Sequence, residues 1–118
     1  MVRIALILLA AFLPFAANAQ PAFLESYLHP KDETERILSK LYLEGLRDGL
    51  ITYNAKIADK LFCMPEGIVL TAELADTILL RWVKKQTKNT SDLPAGIANF
   101  PVAVALVSGL EETFPCHK

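Results

Sequence analysis

The sequence predicts an all-α protein, a small bundle of about three to four helices stapled by one disulfide and preceded by a cleaved signal peptide. Three observations carry that expectation. Apolar residues recur at helical spacing in three separate segments. Two cysteines, Cys63 and Cys116, stand far apart in a chain of only 118 residues. The first nineteen residues have the composition of an export signal.

The export signal comes first. Arg3 gives a positive start, Ile4 to Ala17 form an apolar run with one proline, and Ala17-Asn18-Ala19 is a small-x-small cleavage site before Gln20. The run is shorter than the ~20 residues that span a bilayer, and Pro14 interrupts it, which favours cleavage over anchoring. Residues 1–19 are therefore read as signal peptide and the mature protein as periplasmic, with no membrane association once the signal is removed. Residues 20–31, with Pro21 and Pro30 and no sustained period, are expected to be an extended lead-in. A single helical domain is expected over 32–118.

The first helix is expected from about Asp32 to Tyr53. Asp32 and Glu35 form a capping pair, and Ile37, Leu38, Leu41, Tyr42, Gly45, Leu46 and Gly49 recur at helical spacing. Two glycines inside a helix each cost about 1 kcal/mol against alanine, so Gly45 and Gly49 call for a packing reason. Close packing inside the domain is favoured over a partner surface. A linker from Asn54 to Leu61 leads to Phe62-Cys63-Met64-Pro65-Glu66-Gly67, where Pro65 and Gly67 enforce a turn.

The second helix starts from Thr71 as N-cap, with Glu73 matching the helix dipole, and runs from about Ala72 to Lys88. Leu74, Ala75, Ile78, Leu79 and Trp82 mark its buried stripe. The polar connection from Asn89 to Phe100 is long for a compact domain, which gives an interaction role and a plain connector equal weight. Pro101 suits the first helical position, and Val102, Ala105, Leu106, Gly109 and Leu110 carry the third helix to about Thr113.

Without Arg3 the chain keeps eleven basic and thirteen acidic residues, a formal charge of −2, mixed along its length. No basic stripe for nucleic acid is visible. An even cysteine count in an oxidising compartment makes a disulfide the default, within one chain or between two.

Catalytic chemistry is poorly supplied. The two histidines are His29, in the lead-in, and His117, beside a cysteine expected to be oxidised and so unable to act as thiolate. Metal-ligand spacings, Gly-rich phosphate loops and a Gly-x-Ser-x-Gly elbow are all missing from the sequence. Glu111 and Glu112 are adjacent on a helix and diverge by ~100°. No enzyme activity, catalytic residue, metal or cofactor is expected.

Four pieces of the chain share an order and spacing with a known family. They are Tyr42-Leu43-Glu44-Gly45-Leu46-Arg47-Asp48-Gly49, Phe62-Cys63-Met64-Pro65, Thr71-Ala72-Glu73-Leu74 and Gly109-Leu110-Glu111-Glu112-Thr113-Phe114-Pro115-Cys116. Together, over about residues 40 to 116, they resemble the Rap/Tai family of type VI secretion immunity proteins. The resemblance implies a small helical periplasmic protein, often a homodimer, that binds and blocks a secreted peptidoglycan amidase effector, with a surface loop occluding the catalytic cleft. Glu73, where the family usually has Gln, and Arg81-Trp82, in place of an aromatic-Leu pair, depart from the pattern.

On this reading Cys63, Cys116, Gly45, Gly49, Trp82, Phe114 and Pro115 hold the scaffold. Asn89, Thr90, Ser91, Asp92 and Asn99 are the candidate partner contacts, with the Asn54 to Leu61 linker as a second surface. The alternative is a periplasmic chaperone resembling the small acid-stress chaperones, which are also short, helical and built on one disulfide.

Overall fold

The computed structural model describes residues 22–87 and 95–117. Among these residues the chain forms five helices and no strand: α1 (Leu24–Leu28), α2 (Glu33–Lys56), α3 (Ala72–Thr87), α4 (Ala95–Ala98) and α5 (Val102–Thr113). The three long helices are those expected, with two short ones added. The expected signal peptide and Asn89, Thr90, Ser91 and Asp92 lie outside the described residues.

The helix starts follow from local chemistry. The Asp32 carboxylate accepts the Glu35 N–H at 2.8 Å, and the Glu35 carboxylate reaches back to the Lys31 N–H, so two donors at the open end of α2 are satisfied. Thr71 Oγ1 accepts the Leu74 N–H at 3.1 Å and starts α3 in the same way. Pro101 sits one position earlier than expected, as the N-cap of α5.

The core lies between α3 and α5. Ala75, Ile78, Leu79, Trp82 and Val83 of α3 and Val102, Ala105, Leu106 and Leu110 of α5 are all buried. Each large aliphatic among them contributes about 1.5–3 kcal/mol of transfer free energy. The closest approach is at Gly109, where a Cβ would stand 2.9 Å from Ile78 Cγ2 and 3.2 Å from the Ile78 carbonyl oxygen. Only glycine lets the helices meet there. Beside this contact the Trp82 ring stacks on Phe100 at 5.6 Å between centroids. Trp82, expected to be a scaffold residue, is buried at this contact.

Two expectations are corrected. The lead-in is not simply extended. Leu24 is fully buried, its N–H bonds the Phe100 carbonyl at 3.0 Å, and the Ala22 carbonyl accepts the Val102 N–H at 2.9 Å. These bonds strap the segment across the start of α5, so the packed domain begins by residue 22, not 32. A five-residue helix is too short to show a period, which is why the sequence did not reveal it.

The second correction concerns α2. Gly45 and Gly49 are exposed, and a Cβ at either would meet nothing within 4 Å, so neither serves packing inside the domain. The side of α2 that meets the core carries Leu43, with Leu46 and Leu50 partly buried. Ile37, Leu38 and Leu41, on the stripe expected to be buried, are 50%, 59% and 57% exposed. Apolar residues occur nearly all round this helix, and only the position of α3 decides which set is covered.

Candidate protein-binding site

The disulfide organises one region of the surface. Cys63 and Cys116 are bonded within the chain, 53 residues apart in sequence, with their Cα atoms 5.0 Å apart. The Cys63 N–H also bonds the Phe114 carbonyl at 2.8 Å, and the Phe114 N–H closes the end of α5 on the Leu110 carbonyl at 2.8 Å. Phe114 is half-buried against the core, and Pro115 is exposed.

The connection from α2 into this region is tied down. The Asn54 side chain, still within α2, accepts the Leu61 N–H at 2.8 Å and donates to the Phe62 carbonyl at 2.9 Å. The Lys60 ammonium donates to the Asn54 and Ala55 carbonyls at 2.7 and 3.0 Å, satisfying acceptors at the open end of the helix. The Asn54 to Leu61 stretch is thus a clamp, not a free loop.

After Cys63 the chain turns outward. The Ile68 N–H bonds the Pro65 carbonyl at 3.2 Å, and Gly67 has φ +80°, so Pro65-Glu66-Gly67-Ile68 is a type II turn. A side chain at Gly67 would strain it. The turn leaves Ile68 and Val69 exposed, Val69 at 73%, while Phe62 and Leu70 on either side are buried. Two β-branched apolar side chains therefore stand in solvent on a short loop between buried anchors. Sequence reasoning missed them, although their place between a Pro-Glu-Gly turn and the Thr71 cap, outside any helical stripe, was a usable signal.

Of the expected contacts, only Asn99 is described; it is exposed in the turn after α4. The part of its connection that can be described is more structured than the residue types indicated. Ile97 and Phe100 pack against the core, and the Phe100 N–H bonds the Ile97 carbonyl at 3.0 Å.

A cleft of about 400 Å³ lies between α1, α2 and α3, lined in part by Tyr27, Arg36, Lys40, Glu44, Glu73 and Asp76. The Tyr27 hydroxyl donates to Asp76 Oδ1, pinning α1 to α3. Burial pushes the Tyr27 hydroxyl well above its ordinary range, and the hydrogen bond and charge of Asp76 act in the same direction. That shift holds the proton on, the wrong direction for a general base at neutral pH. Since the folded state keeps the proton more tightly than the unfolded chain, the stability from this pair is complete below pH ~10 and is lost as pH rises beyond it. Tyr27→Phe is expected to flatten the fall in melting temperature above pH ~10. Thermal melts of both proteins at stepped alkaline pH measure this.

Both histidines are exposed. Among the described residues no group of three or more His, Cys, Asp or Glu side chains is placed to hold a metal ion, and no helix is long and apolar enough to cross a membrane. No family model, curated protein or solved structure matches this chain.

Proposed function

We propose that this chain is an exported periplasmic immunity protein that binds a type VI secretion peptidoglycan amidase and blocks it with a surface loop in the catalytic cleft. The observation that carries the proposal is the loop at Gly67 to Val69. It presents two apolar side chains to solvent on a backbone fixed by a turn, by the neighbouring disulfide and by buried Phe62 and Leu70. A loop held in one conformation loses little entropy on binding, which is what insertion into an enzyme cleft requires.

The residues behind the family resemblance support the same reading. Thr71 caps α3, Gly109 sits at the helix contact, and Cys63, Phe114 and Cys116 close the domain. These are junctions of a scaffold, and a scaffold that presents loops needs no chemistry of its own. The connection holding Asn89, Thr90, Ser91, Asp92 and Asn99 is the second contact surface.

Ile68→Asp and Val69→Asp test the loop. Both side chains are exposed, so the melting temperature is expected to stay within about 4 °C, because surface substitutions seldom exceed about 0.5 kcal/mol. Affinity for the proposed amidase partner should fall at least ~100-fold if either side chain is an anchor of the interface. Thermal melts of each variant measure the first point and titration calorimetry the second. Unchanged affinity in both variants removes the loop from the interface.

A further inference from the structure

We infer that the cleft between α1, α2 and α3 binds a short peptide with both ends free, its carboxylate on Arg36 and Lys40 and its ammonium on Glu73 and Asp76. The cleft holds about 400 Å³, within the range of small-molecule sites. Its two cations belong to α2 and lie one turn apart on one side of that helix. Glu73 and Asp76 belong to α3 and are spaced in the same way. Glu44, a turn beyond Lys40, adds a third carboxylate to the lining.

The pairing of these charges points to the ligand. Among the described residues the ion pairs are Arg36 with Glu33, Arg47 with Asp48 and Lys85 with Glu112. Neither cation of the cleft is joined to Glu73 or Asp76, and Lys40 is not joined to Glu44. Opposite charges thus line one cleft without pairing across it, and a molecule carrying both signs satisfies both. The Arg36 to Glu33 pair has side chains 57% and 67% exposed, so it is weak and releases Arg36 at little cost. The Tyr27 hydroxyl holds Asp76 in place.

The rest of the lining sets the middle of the ligand. Leu28, Leu43 and Leu80 face the same cleft, so apolar side chains suit it. A compact space of 400 Å³ is ~7 Å across, and two extended residues span ~7 Å. A single amino acid carries both charges on one carbon and spans half that distance. Leucyl-leucine matches charge, length and apolarity. With ~17 non-hydrogen atoms it is expected to bind with a Kd on the order of 0.1 to 1 mM.

Titration of the oxidised protein without residues 1–19 by leucyl-leucine up to ~10 mM, followed by amide shifts in NMR spectra, tests this. Saturable shifts at Ser39, Lys40, Glu73 and Asp76 are expected. N-acetyl-leucyl-leucine, leucyl-leucine amide and free leucine should each bind at least ~5-fold more weakly, because each loses charged partners at one end or cannot span the cleft. Two variants assign the ends. Lys40→Gln should shrink the preference for leucyl-leucine over its amide and leave the preference over the acetylated form, and Glu73→Gln should do the reverse. Both replaced residues are exposed, so both variants should melt as the parent does. The cleft and the Gly67 to Val69 loop share no residue, so Val69→Asp should bind the dipeptide unchanged whatever the loop binds. Shifts that do not saturate, equal affinity for the blocked peptides or free leucine, or variants that alter both preferences alike overturn the inference.

Discussion

Replacing both Cys63 and Cys116 with alanine is expected to lower the free energy of unfolding by about 4 kcal/mol, the largest effect of a pairwise change in this protein. The bridge joins residues 53 apart, and reducing the freedom of so long a loop in the unfolded chain favours the folded one. Natural domains of this size have about 5–15 kcal/mol in all, so the variant stands near the edge of folding. Backbone geometry limits the damage at the site itself. The Cys63 N–H to Phe114 carbonyl bond does not involve the sulfurs, so the native pairing at that end can still form when the chain folds. Urea unfolding of the oxidised protein and of the double variant gives the difference. A loss below about 1 kcal/mol means that the core alone holds these chain segments together.

Trp82→Ala is expected to be the most damaging single truncation, at about 3–5 kcal/mol. The Trp82 ring stacks on Phe100, and its Cβ lies 3.4 Å from where a Cβ of Gly109 would be, so one side chain joins α3, the turn before α5 and the tightest helix contact. Alanine leaves a cavity that fixed neighbours cannot fill. Because the Phe100 carbonyl holds the Leu24 N–H, loosening Phe100 also loosens the start of α1. Hydrogen exchange should show the Leu24 amide losing protection along with the α5 amides. Loss at α5 alone would separate the two.

What the sequence disclosed was what local chemistry decides. The Asp32 cap, the Thr71 cap, the Pro65 to Gly67 turn and the stripe Val102, Ala105, Leu106, Leu110 each depend on a few neighbouring residues, and each is formed. The facing of α2 was not disclosed, because Leu38, Leu41 and Gly45 form as regular a stripe as Leu43, Leu46 and Leu50. Choosing between them requires the position of α3. For the same reason α1 stayed hidden: its approach is held by partners about eighty residues away in sequence, Leu24 bonding Phe100 and Ala22 bonding Val102. At the candidate site the anchors Phe62, Cys63 and Cys116 were legible, whereas the exposure of Ile68 and Val69 follows only from where the surrounding helices end.

The claim that this chain acts by seizing one enzyme is tested most directly by affinity capture. The oxidised protein without residues 1–19 is immobilised, a lysate containing the product of the neighbouring gene is passed over it, and the retained proteins are weighed by mass spectrometry. Retention of one small cell-wall amidase in a fixed ratio, with its hydrolysis of peptidoglycan abolished, is the predicted result. Retention of many unrelated polypeptides, increasing as the pH is lowered, contradicts it and identifies an acid-stress chaperone.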